Sequence, residues 1–192
     1  MPDLTALTPA ARRILESAAE LFYEHGVTKV GVELVAEQAG TTKKTLYDRF
    51  GSKEGLVVAY LEDRAARWRQ HVERYLAATE EDVVPPDRPV ALLDALESWM
   101  AGSSRGCGFV NAFAELAGSS PTALETIRAE KAWVRDSYAA LADMAGHPDP
   151  VVLGRRLALV HEGAIVEATA GGSDSAMADA RTIMRMLVGA PA

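Results

Sequence analysis

Cysteine is almost absent from this chain. The single Cys107 in 192 residues rules out an intrachain disulfide framework and suits a reducing compartment. Long apolar runs are missing too. The best candidate for a membrane span, residues 150–170, is interrupted by Arg155, Arg156, His161, Glu162 and Glu167, so no contact with a membrane is expected. The first residues lack a basic stretch followed by an apolar one, so no signal peptide is expected and the chain is placed in the cytoplasm. The four histidines, His25, His71, His147 and His161, have neither zinc spacing nor thiolate company, so no metal is expected. The glycine-rich stretch 102–108 matches no phosphate-cradling motif, and no Gly-x-Ser-x-Gly elbow occurs. No cofactor and no enzymatic activity are expected. Alternating β patterns, internal repeats and low-complexity tracts are likewise missing.

What the chain has is helical periodicity and a graded charge. Apolar residues make up 48%, enough for a substantial core, and the net charge is −7. Residues 1–55 carry seven Lys and Arg against eight Asp and Glu, whereas residues 41–53 carry four against one. An acidic body with one basic tip directs a polyanion to that tip. A solvated charged face is the plain alternative.

The tip lies in residues 32–50, read as two short helices joined at Gly40-Thr41. Val32, Leu34, Val35 and Ala39 have helical spacing. Gly40 supplies the left-handed residue that ends a helix at low cost, and the Thr42 hydroxyl is placed to cap the next one. That second helix carries Lys43, Lys44, Thr45, Tyr47 and Arg49, with Leu46 and Phe50 as its buried stripe. Outward donors over an apolar underside suit a helix that enters a DNA major groove. Lys43, Lys44 and Thr45 are expected to reach bases. Tyr47 and Lys53 are expected to hold phosphates, with packing as the alternative for Tyr47.

Around it, Thr8-Pro9 opens a first helix that closes at Gly26, and Phe22, Leu34, Val35, Leu46 and Phe50 are the expected core of a three-helix unit. Ser52 caps a long helix over about 53–78, roughly 35–40 Å, enough to belong to two bodies. Residues 80–89, with Pro85-Pro86, are the clearest break. Helices are then expected over 90–101, 109–117, 122–145, 149–170 and 175–188, nine in all. The expected division is a DNA-binding domain over 1–55 and a second domain over 56–192.

The sequence resembles the tetracycline-repressor (TetR) family of bacterial transcriptional regulators. The resemblance rests on Leu21-Phe-Tyr-Glu-His-Gly26, Val32-Glu-Leu-Val-Ala36, Ala39-Gly40, Thr45-Leu-Tyr-Asp-Arg-Phe50 and Ser52-Lys-Glu-Gly-Leu56, over roughly the first 60 residues. It implies an all-α homodimer that binds a double-stranded DNA operator, represses transcription, and lets go when a small-molecule effector fills a C-terminal cavity. It places Thr42, Lys43, Lys44, Thr45, Tyr47 and Arg49 on DNA-facing positions and Lys53 on a phosphate contact. Two positions depart from the family pattern: Gly31 stands where Ser or Thr is usual, and Arg49 where His is common.

For the remainder, residues 149–188 are expected to pair two copies. Apolar residues there occupy more than one helix face, and Gly154, Ala158 and Ala164 permit close helix approach. Trp68, Trp99, Phe109, Phe113, Trp133, Tyr138 and His161 are the candidate ligand-binding residues, because small-molecule sites are apolar with few polar groups. Asn111, Glu115 and Glu162 are polar residues in apolar surroundings that could orient a ligand. Core packing or internal hydrogen bonding is the alternative for each. A helical enzyme or a thiol-based redox sensor acting through Cys107 is the competing reading, and an inert buried thiol the plain one.

Overall fold

The first helix forms where its capping residues direct. In the computed structural model, which describes residues 7–79, 84, 87–103 and 105–189, Thr8 is the N-cap of α1 (Pro9–His25) and its hydroxyl accepts from the Ala11 N–H at 3.4 Å. Pro9 sits in the first turn, where a missing N–H is harmless. α2 (Val32–Gln38) and α3 (Lys43–Phe50) follow. Between them Gly40 has φ +60°, a conformation that glycine adopts without a Cβ penalty, and the Thr41 N–H reaches back to the Ala36 carbonyl at 2.9 Å. Arg13 Nε donates to the Ala39 carbonyl at 3.3 Å, tying α1 to the end of α2.

Six more helices complete the described residues: α4 (Lys53–Thr79), α5 (Arg88–Met100), α6 (Gly108–Leu116), α7 (Pro121–Met144), α8 (Pro150–Thr169) and α9 (Ala176–Gly189). No strand occurs among them, so the all-α, nine-helix expectation agrees with the described chain. One boundary shifts: Pro89, expected in the break, lies in the first turn of α5. The rest of that break, residues 80–83 with Pro85-Pro86, falls outside the described residues.

The chain groups into two compact units. The first takes the described residues through Arg67 together with Cys107–Ala129; the second takes Trp68–Gly106 and the described residues from Glu130 onward. This division differs from one after residue 55, because residues 56–67 and α6 pack with the N-terminal helices. Ile14, Ala18, Phe22, Val35, Leu46, Phe50, Leu56, Tyr60, Phe109 and Ile127 share one buried cluster in the first unit. Phe22 and Tyr60 meet edge to face at 5.7 Å. Leu34 corrects the expected core: it is 44% exposed. Val32, Val35, Ala36 and Ala39 already form the inward row of α2 at helical spacing, which leaves Leu34 on the other side.

In the second unit, α8 packs on α9 and α9 on α5. Leu92, Leu93, Tyr138, Leu153, Leu157 and Met184 are buried. Arg181 of α9 bridges Asp94 at 2.7 Å and Glu97 at 2.6 Å on α5. Gly154 explains how closely α8 lies on α7: a Cβ there would stand 2.7 Å from the Ala139 backbone nitrogen. No described helix is long and apolar enough to cross a membrane.

Candidate nucleic-acid interface and ligand site

α3 is anchored by two side chains and presents the others. Leu46 and Phe50, one turn apart, are buried, while Thr42, Lys43, Lys44, Tyr47 and Arg49 are exposed and Thr45 is half-buried. Thr42 is the N-cap: its hydroxyl accepts from the Thr45 N–H at 3.2 Å and lies 3.0 Å from the Thr45 hydroxyl. The start of the helix is therefore fixed, and its positive dipole end stands beside the two lysines. Tyr47 is 44% exposed, so its ring is available as well as supported.

The lysines are paired on the surface. Lys43 Nζ donates to Glu33 at 2.8 Å and Lys44 Nζ to Asp48 at 2.8 Å. Hydrogen bonding to Glu33 raises the Lys43 pKa above its ordinary value, and hydrogen bonding to Asp48 raises that of Lys44, so both are cations at neutral pH. Exposed pairs of this kind contribute little to stability, and an incoming phosphate or base edge can replace the carboxylate.

Around Lys53, several segments of the first unit are tied together. Lys53 Nζ, at the start of α4, donates to the Thr28 carbonyl at 3.1 Å. The Thr28 N–H donates to Glu115 Oε2 at 2.7 Å, and the same carboxylate lies against Gly26. The Ser120 hydroxyl, before α7, donates to Glu54 at 2.5 Å. Glu115, a candidate for orienting a ligand, instead holds the turn between α1 and α2. Sequence spacing could not have found this bond, since 87 positions separate its partners.

The ligand candidates divide between the units. Phe109 belongs to the buried cluster of the first unit and Phe113, also on α6, is exposed there. These two do not join the others, because α6 turns its Phe109 and Ala112 face to the N-terminal core. Asn111 and the half-buried Cys107 also lie with the first unit. The other five candidates come together in the second unit. Ring centroids of Trp68 lie 5.6 Å from Trp99, 6.4 Å from Trp133 and 6.3 Å from His161. The Tyr138 hydroxyl and His161 Nδ1 are 3.0 Å apart, both buried. Burial, and then the charge of Lys131, lowers the His161 pKa to about 3, so the ring is neutral at physiological pH. Lys131 is itself paired with Glu162 at 2.6 and 2.8 Å.

Two residues of this site escaped the sequence reading. Glu130 is only 2% exposed, and Arg69 donates to its Oε2 from Nε at 3.2 Å and from a terminal nitrogen at 2.8 Å. The Arg69 guanidinium also lies over the Trp133 ring, 5.3 Å from its centroid. Burial raises the Glu130 pKa, opposed by the hydrogen bond and charge of Arg69. The available signals were weak: Arg69 follows Trp68, and Glu130 precedes Trp133 by three residues, less than one helical turn.

Comparison with known proteins places this geometry. Residues 14–60, which hold α2, α3 and the start of α4, match the family described as bacterial regulatory proteins, tetR family. An uncharacterized HTH-type transcriptional regulator of Mycobacterium tuberculosis is 35% identical over 77 residues, covering 40% of this chain and 36% of that protein. The HTH-type transcriptional regulator TtgR of Pseudomonas putida is 36% identical over 74 residues, 38% of this chain and 34% of its own. The chain thus spans about a third of the length of the curated relatives it matches. The crystal structure of SCO4454, a TetR-family transcriptional regulator from Streptomyces coelicolor, superposes with a TM-score of 0.77 at 26% identity, covering 94% of this chain and 92% of that one. Residues 14–60, with their capped helix of outward donors, thus match the TetR family of bacterial regulatory proteins, and the helical fold of the described residues is similar over nearly its whole length to that of a TetR-family regulator.

Proposed function

We propose that the protein is a homodimeric DNA-binding transcriptional regulator, a repressor that leaves a palindromic operator when a small molecule occupies its second unit. The observation that carries this reading is α3, with Leu46 and Phe50 turned inward and Thr42, Lys43, Lys44, Tyr47 and Arg49 turned outward above a fixed N-cap. Lys43, Lys44 and Thr45 read base edges, and Tyr47, Arg49 and Lys53 hold phosphates. One such helix covers a few base pairs, so useful specificity needs two copies on half-sites about one helical turn or more apart.

Pairing runs through residues 149–188. Leu159 is 75% exposed, and Val151 and Val166 of α8 and Ile183 and Met186 of α9 are exposed as well. A concentration of apolar surface on two packed helices supports a partner surface. Effector release needs a ligand that prefers one of two conformations, since tight binding alone shifts nothing.

The test is a gel shift of the purified protein on its own upstream region, with sedimentation to measure its mass. A dimer that retards an inverted-repeat duplex, with affinity falling steeply as salt rises, is expected. A monomer without preference for any inverted repeat at low ionic strength overturns the proposal.

A further inference from the structure

We propose that Glu130 and the indole face of Trp133 form a binding site for a flat aromatic cation, and that Arg69 occupies it as an internal stand-in until the ligand arrives. The biological use of this site rests on the effector reading above; its chemistry does not.

The first observation is an unused acceptor. A guanidinium that meets a carboxylate usually makes two parallel bonds, one to each oxygen. Here both Arg69 donors converge on Oε2, at 3.2 and 2.8 Å. Glu130 Oε1 is buried without a hydrogen-bond partner among the described residues. A buried carboxylate oxygen left this way is costly, and a ligand that brings a second N–H to Oε1 recovers that loss. An amidinium or guanidinium group carries two N–H donors at the right spacing.

The second observation is the surface that would receive the ring. The Trp133 face already holds a cation, the Arg69 guanidinium. Trp68 meets Trp133 edge to face and Trp99 is tilted against Trp68, so further aromatic surface adjoins Trp133.

Charge sets the selectivity. The other charged groups acting on Glu130 are Lys131 and Glu162, and these pair with each other. If Arg69 leaves, one negative charge stays uncompensated, which favours a monocation over a neutral molecule or an anion. Arg69 can leave: its side chain is 38% exposed on a flexible stem and stays solvated outside. Glu130 cannot follow, so the exchange is one cation for another at a fixed carboxylate.

The chain's three tryptophans are Trp68, Trp99 and Trp133, so fluorescence of the full-length protein excited selectively at tryptophan, beyond tyrosine absorption, reports on this cluster. Benzamidinium, benzamide and benzoate share one shape and differ in charge. Benzamidinium is expected to change the fluorescence saturably, with benzamide and benzoate binding about tenfold more weakly or worse. Glu130→Gln should weaken benzamidinium about tenfold or more, and Arg69→Gln, which removes the competitor, should tighten it. Equal binding of benzamide or benzoate, no saturable response to benzamidinium, or a folded Glu130→Gln protein with unchanged affinity overturns the site; the last result would mean that Oε1 holds only water. If either variant fails to fold by circular dichroism, the parent protein decides: benzamidinium must bind saturably and at least about tenfold more tightly than benzamide and benzoate, and any other order counts against the proposal. Operator release is scored separately by gel shift. A neutral or anionic compound that frees operator from a protein blind to benzamidinium would retain the effector reading and sink the cation site. Absence of operator binding under every condition would sink the effector reading and leave the fluorescence result to judge this site.

Discussion

Two kinds of ion pair in this molecule teach opposite lessons. On α3, Lys43 with Glu33 and Lys44 with Asp48 lie in water, at 2.8 Å each. Their mutual attraction is screened, the separated ions are solvated almost as well, and either lysine can be surrendered to a phosphate. In the second unit, Arg69 with Glu130 has the same length, 2.8 Å, but the carboxylate is 2% exposed. Removing its cation without a replacement leaves a buried charge, which is strongly destabilising. The exposed pairs are therefore exchangeable contacts, whereas the buried one exchanges only for another cation. Equal distances thus conceal unequal chemistry, and the difference is solvent access.

The comparison can be broken or sharpened by substitution. The largest effect is expected from the apolar support under the exposed face. Leu46 is fully buried, and Leu46→Ala should cost about 2–5 kcal/mol in denaturant unfolding and abolish operator retention with it. The buried polar cluster of the second unit should instead respond to pH. His161 has a folded pKa near 3, below the ordinary 6.5, so between these values the unfolded chain binds a proton that the folded chain refuses. Its contribution is fully present above pH 6.5 and is lost as pH falls toward 3, at about 1.4 kcal/mol per pH unit. Urea unfolding at about pH 7 and about pH 5 should differ by roughly 2 kcal/mol on this account, and His161→Gln should remove that difference. A variant as acid-sensitive as the parent would remove the contrast between the units.

Next come the exchangeable lysines. Lys43→Ala, Lys44→Ala and Lys53→Ala should each leave the melting temperature unchanged. The first two should weaken operator binding about tenfold by loss of base contacts. Lys53→Ala should flatten the salt dependence by about one unit of slope, as expected for one phosphate contact. A melting temperature lowered as much by Lys44→Ala as by Leu46→Ala would show that the surface pairs are structural. The smallest expected effect is at the cap: Thr42→Ala should cost about 1 kcal/mol and weaken binding by loosening the first turn of α3.

Much of the first unit was legible because its determinants are local. Thr8-Pro9, Gly40 and Thr42 define helix ends through bonds that reach only three to five residues, and the Leu46/Phe50 stripe declares the inward face of α3 within one turn. Leu34 misled because α2 is short: over seven residues two rows of apolar positions compete, and packing against α1 and α3 selected the row through Val32, Val35 and Ala39. The aromatic residues were recognisable as a set, but nothing local told Phe109 and Phe113 to join the N-terminal unit while Trp68, Trp99 and Trp133 gathered elsewhere.

By itself, then, the sequence determined the helices, their caps, the basic tip and the residues that face outward on α3, since each depends on neighbours within a turn or two. Only the tertiary structure decided that Glu115 holds the Thr28 turn from α6, that residues 56–67 and 107–129 share the first core, and that Arg69 and Glu130, 61 positions apart, meet beside Trp133. The reason is physical: hydrogen-bonded caps and amphipathic periodicity are short-range properties of a chain, whereas the burial of a charge and the choice of its partner exist only after distant helices have excluded water between them.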